Sequence, residues 1–150
     1  MGAVSTNCNS VLFTPLRRID TPGGDVFHGM KNSDPGFCGF GEAYFSAIQY
    51  RYVKGWKRHR AMTLNLLVPT GEVQITVVGE TGGSFQNFVL GPNDAKTYGR
   101  LTIPPNLWVA FGGMHVGTSM VLNLASHLHD PEEAESCPLT SFPWVWSKSN

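Results

Sequence analysis

Residues 73–77, Val-Gln-Ile-Thr-Val, alternate apolar and polar positions with a period of two, the pattern of a strand with one buried face. Residues 62–68 predict the strand before it, with Pro69-Thr70-Gly71 as the connecting turn. After a turn at residues 79–83 come strands at 85–90, 100–103, 107–111 and 119–125, punctuated by Pro104-Pro105-Asn106 and Gly112-Gly113. Upstream, residues 11–13 begin the series. Thr21-Pro22-Gly23-Gly24-Asp25 turns into a strand at 26–30, and a loop at 32–41 precedes one long β-rich run, 42–53. No segment keeps a helical period over three turns, although the acidic stretch from Pro131 to Glu135 predicts a short helical turn. Regularly spaced short strands predict an all-β sandwich or barrel. The end of the chain, residues 142–146, is too aromatic for a free tail and is expected to pack on the barrel or on a partner subunit.

Composition narrows the function classes more than it changes the fold. With 150 residues, 41% hydrophobic and 15% charged, the chain suits one globular domain over 1–150, its core at about 11–130 and an aromatic tail at 138–150. Eleven basic residues balance eleven acidic ones, so nothing draws the molecule as a whole to nucleic acid or an anionic membrane. The longest apolar runs, such as residues 64–68, are far too short to span a bilayer, and Met1 to Asn9 carry no signal pattern. Cys8, Cys38 and Cys137 are odd in number and scattered, without a Cys-x-x-Cys pair. They predict reduced thiols in the cytoplasm rather than a disulfide framework or a cysteine zinc site.

The densest chemistry is Lys54-Gly55-Trp56-Lys57-Arg58-His59-Arg60, placed directly before the strand at 62–68. Four cations beside an imidazole suit an anion or polarised carbonyl with a general base next to it. The same residues also suit a strand edge guarded by charge. His127 and His129, two apart beyond the strand at 119–125, fit a proton-transfer pair, a metal site with His59, or a polar rim. Asp130 either orients a histidine or caps the helical turn, and His28 and His115 read as exposed turn residues. Tyr50, Tyr52, Trp56 and Trp108 either stack on a base or sugar or fill the core.

Gly55, His59 and Gly71, followed by Glu72-Val73, resemble the first cupin motif. Gly99 with Ile103-Pro104-Pro105-Asn106-Leu107-Trp108-Val109-Ala110-Phe111 resembles the second. The basic residues with His59, the Ile-Pro-Pro turn, and Leu124-Ala125-Ser126 before Asp130-Pro131-Glu132 are similar to the dTDP-4-dehydrorhamnose 3,5-epimerases and dTDP-sugar 3,4-ketoisomerases, over roughly residues 23–135. The resemblance implies a cupin-type jelly roll, a homodimer, and a dTDP-linked keto-sugar bound in the barrel mouth without metal or organic cofactor. It also implies His59 as the catalytic base, with Lys57 where the ketoisomerases carry a first histidine. Arg58, Arg60, Tyr50, Trp108, Asn123, His127 and His129 are then the expected substrate-binding residues.

Two departures bear on the chemistry. The second-motif metal histidine is replaced by Val109, which is no metal ligand. The epimerase's tyrosine, which protonates the opposite face of the sugar, falls near Asn123, which cannot do that work. The expected function is a metal-independent epimerase or ketoisomerase of carbohydrate biosynthesis. The alternatives are a non-catalytic cupin that binds a sugar or nucleotide-sugar, and a metal-dependent cupin enzyme.

Overall fold

The computed structural model describes residues 10–147. The expectations placed on Met1 to Asn9, Cys8 among them, and on the last three tail residues lie outside these. The strands are β1 (Leu12–Pro15), β2 (Arg18–Ile19), β3 (Val26–Phe27), β4 (Glu42–Gln49), β5 (Val53–His59), β6 (Leu64–Thr70), β7 (Val73–Val78), β8 (Phe85–Leu90), β9 (Gly99–Ile103), β10 (Trp108–Gly113), β11 (Thr118–Ala125) and β12 (Ala134–Ser136). A single 3-10 turn, Leu139–Ser141, follows them.

Two five-stranded antiparallel sheets face each other, in the order β1-β9-β6-β11-β4 and β12-β5-β10-β7-β8. This is the cupin jelly roll that the strand pattern and motifs predict; β2 and β3 form a separate small ribbon. Alternation places Leu64 and Leu66 of β6, Leu101 and Ile103 of β9, and Val121 of β11 against Val73, Ile75 and Val77 of β7 and Val109 of β10. Each such side chain contributes ~1.5–3 kcal/mol by leaving water. The turn between β6 and β7 needs Gly71. Its φ is +88°, and a Cβ there would stand 2.1 Å from Ser119 Oγ.

Several expectations are corrected. Residues 42–53 are not one strand: the chain breaks at Tyr50-Arg51, where Arg51 takes a φ of +62°. The basic stretch is itself strand β5, not a lead-in to the next one. Gly112 and Gly113 end β10 rather than turning. The acidic run forms a turn at 131–133 and then β12, so it holds no helix. Cys38 is disulfide-bonded, against the expectation of reduced thiols, and Cys137 is free. Among the described residues no helix is long and apolar enough to cross a membrane.

The outer face of the second sheet is covered by the chain's own end. Trp56, Val78 and Ala110 form a second buried cluster, packed by Trp108, Cys137, Phe142 and Trp144. On the outer face of the first sheet, a buried polar network takes over. Arg100 Nε donates to Asn65 Oδ1 (3.2 Å), Nη1 to Gly29 O (2.8 Å) and Nη2 to Pro35 O (2.7 Å). Asp34 completes the cradle at 3.4 Å. Burial lowers the Arg100 pKa, and the charge and hydrogen bond of Asp34 oppose that shift.

Candidate active site

A cavity of about 340 Å³ lies between the sheets, in the size range of small-molecule sites. Its walls come from β4 at the edge of one sheet and from β5 and β12 at the edge of the other. Leu64, Leu66, Val109, Phe111 and Val121 make the lining mostly apolar. The polar groups reaching it are Tyr44, Ser46, Lys54, Lys57, His59, Asn123 and Ser136.

Strand alternation selects which members of the basic stretch enter. Lys57 and His59 stand two apart on one face of β5 and line the cavity. Trp56 and Arg58 turn to the other face, where Arg58 lies 5.0 Å from the Trp108 ring and 2.6 Å from Glu135. Arg60 also pairs with Glu135, whose pKa is lowered mainly by that hydrogen bond and then by the one from Arg58. Arg58 and Arg60, expected to meet the substrate, are both engaged by Glu135 and do not line the cavity. Lys54 reaches the lining while its Nζ donates to Ala47 O at 2.6 Å, bridging β5 to the open edge of β4.

His59 is only 6% exposed, and its Nδ1 is hydrogen-bonded to Glu133 Oε1. The other oxygen of Glu133 accepts the backbone N–H groups of Ala61 (3.0 Å), Arg60 (3.1 Å) and Met62 (3.3 Å). Burial alone would raise the Glu133 pKa. The hydrogen bond and charge of His59 and the backbone donors outweigh it and hold the group at about 2. A carboxylate fixed at Nδ1 sets the ring's orientation and leaves Nε2 for the cavity. The histidine-orienting carboxylate is thus Glu133, not Asp130, whose Oδ1 instead accepts the Glu132 N–H (3.0 Å). The antiparallel pairing of β12 with β5, Ala134 against His59, brings it there.

Across the cavity, Asn123 is 3% exposed and already engaged. Its Oδ1 accepts the Asn65 N–H (3.1 Å) and its Nδ2 donates to Tyr44 Oη (2.9 Å). Tyr44 is the β4 residue directly opposite Asn123 in the ladder. A phenol therefore stands beside Asn123, supplied by the neighbouring strand. Its oxygen accepts from Asn123, so its own O–H is free to donate into the cavity.

Four expected site residues lie elsewhere. Tyr50 is on the β4–β5 bend, with Arg51 5.6 Å from its ring, and Trp108 packs on Phe142. His127 and His129 are exposed beyond β11, with His127 Nδ1 bonded to Ser126 Oγ at 2.7 Å. No group of three or more His, Cys, Asp or Glu side chains suited to a metal occurs among the described residues.

No protein-family model matches the chain, and no curated protein sequence does. Solved structures do. A dTDP sugar isomerase from Desulfovibrio desulfuricans G20 superposes with a TM-score of 0.85 at 32% identity, over 95% of this chain and 94% of that one. The sugar 3,4-ketoisomerase QdtA from Thermoanaerobacterium thermosaccharolyticum, solved with TDP, gives 0.71 at 17% identity, over 85% and 88%. The dTDP-4-dehydrorhamnose 3,5-epimerase of Elizabethkingia anophelis NUHP1 gives 0.73 at 14%, over 99% and 88%. The last two share the fold. With a near-complete match at 32% identity, the chain belongs to the dTDP-sugar isomerase family of enzymes.

Proposed function

We propose that this enzyme moves the keto group of a dTDP-4-keto-6-deoxyhexose from C4 to C3, with His59 as the base. The observation that carries this reading is the pair Lys57 and His59, side by side on one cavity wall, with His59 held from behind by Glu133. Nε2 of His59 takes the proton from C3, and the electron pair forms the C3=C4 bond. The charge that moves to O4 is met by the Lys57 ammonium, which supplies its proton and gives an enediol. Lys57 then recovers a proton from O3, and the imidazolium returns one to C4. The product is the 3-keto isomer, with no atom gained or lost.

A second reading has its own support. Tyr44 and His59 stand on opposite walls, and proton removal on one face with return on the other is epimerisation. Lys54 on the lining supplies a further cation for the diphosphate, and the apolar lining suits a deoxy sugar. A homodimer accords with the open edge of β4, where Tyr44 and Phe45 are exposed. The cytoplasmic placement rests on the nucleotide-sugar substrate class, since the disulfide at Cys38 removes the thiol argument for it.

Proton NMR in heavy water with dTDP-4-keto-6-deoxyglucose tests this. The expected product is a 3-keto sugar carrying deuterium at C4. A 4-keto sugar inverted and deuterated at C3 or C5 moves the assignment to epimerisation. Binding with neither a 3-keto product nor exchange refutes His59 as a base.

A further inference from the structure

The strand that carries His59 and Lys57 on its inner face is gripped on its outer face by the end of the chain. Trp56, 1% exposed, immediately precedes Lys57 in sequence and turns its ring to the outer face. Its Nε1 donates to Leu139 O at 3.1 Å. Its ring meets Phe142 edge-on at 5.4 Å and Trp144 at 6.4 Å. Trp144 continues to Trp146 at 5.2 Å, and the Arg51 guanidinium closes the row 4.7 Å from the Trp146 ring. Gly112 makes room for this: a Cβ there would lie 2.6 Å from Trp146 and 2.7 Å from Trp144. Gln74, fully buried on β7, clasps the same segment in both directions. Its Nε2 donates to Val145 O (2.8 Å), and its Oε1 accepts the Ser147 N–H (2.5 Å).

The segment leads directly out of β12. That strand has three residues and pairs only with β5, so its own ladder is marginal. Glu133, immediately before it, must nevertheless stay fixed on His59. Cys137 extends the grip, exchanging backbone hydrogen bonds with Trp56 at 3.1 and 3.3 Å.

We propose that residues 137–147 are a positioning strap for the reaction: docked on the outer face of the second sheet, they hold β12, and through it Glu133, against His59. The inference rests on the reading of His59 as the base. Trp144 is not itself a lining residue and meets the β5 wall only at the outward-facing ring of Trp56, so its effect on His59 passes through the seating of β5 and β12 and hence through Glu133.

The test is a double-mutant cycle on the full-length protein, with deuterium exchange into the keto-sugar as the rate. Trp144→Ala is expected to lower kcat about tenfold with KM within about twofold, as a small misplacement of a catalytic group does. Trp144→Phe, which keeps a ring in the groove, restores most of it. In a Glu133→Gln background Trp144→Ala is expected to cost nothing further. A loss of the same size in both backgrounds overturns the proposal, as does an unchanged kcat in Trp144→Ala. If Trp144→Ala does not fold, Trp146→Ala at the open end of the strap enters the cycle with the same two outcomes. The proton on His59 Nδ1, observed by NMR, gives a readout that needs no turnover. It is expected sharp in the wild type and in Trp144→Phe, and broadened in Trp144→Ala. A signal equally sharp in all three overturns the strap even in a protein that fails to turn over the keto-sugar, whereas a wild type with neither product nor exchange refutes only the base.

Discussion

Two polar networks sit on opposite sides of this barrel, and they differ in what they leave unsatisfied. Around Arg100, on the outer face of the first sheet, the guanidinium is spent on Asn65, Gly29, Pro35 and Asp34. None of these groups lines the cavity between the sheets. Around His59 the outer half of the network is equally closed, with both oxygens of Glu133 occupied. Its inner half is open: among the described residues neither His59 Nε2 nor the Lys57 ammonium has a hydrogen-bond partner. Saturation marks a group that holds the fold together, and an oriented group with one valence left over marks chemistry.

The contrast can be broken by substitution. His59→Asn keeps a donor for Glu133 and is expected to lower kcat about 1000-fold, within the range for losing a general base, with little change in thermal midpoint. Arg100→Met should do the reverse. It strands Asn65, Asp34 and two carbonyls, costs about 3 kcal/mol in urea unfolding, and leaves kcat per folded molecule unchanged. If Arg100→Met cuts turnover while sparing stability, the division between the two networks is wrong.

Tyr44→Phe sharpens the comparison from inside the cavity. If the keto group moves on one face only, kcat falls less than about tenfold and deuterium still reaches C4. Loss on the scale of His59→Asn would make Tyr44 the partner acid and turn the enzyme into an epimerase. The smallest effect is on stability at low pH. Glu133 is held at about 2 in the folded protein, below its ordinary 4.5. Its contribution is therefore fully present above 4.5 and is lost as the pH falls from there toward 2. Unfolding midpoints of wild type and Glu133→Gln should converge over that interval.

Strands β6 to β11 were legible because each is a short run rich in apolar and β-branched residues, alternating cleanly in β7, and glycine or proline marks most of their ends. Strand β5 was not, because its two faces meet unusual neighbours. Trp56 faces out under the strap, and Lys57 faces in toward a polar-rimmed cavity, so the apolar-polar order that marks a strand is inverted. Gly112 and Gly113 read as a turn, yet Gly112 is there to let two indole rings lie on the sheet. Of the site, His59 and Lys57 stood out by residue type and spacing. Glu133 did not, because it lies 74 residues from His59 and only the β12–β5 pairing joins them. Tyr44 was hidden in the same way: its place beside Asn123 is a matter of ladder register, which local composition does not encode.

All four tryptophans of the chain, Trp56, Trp108, Trp144 and Trp146, gather on one side of one sheet. Ultraviolet emission from this protein therefore samples the strap and the back of β5, and is nearly blind to the first sheet. The molecule carries an intrinsic optical gauge of whether its C-terminal segment is seated. The gauge lies on the outer face of the second sheet, behind the wall that carries Lys57 and His59.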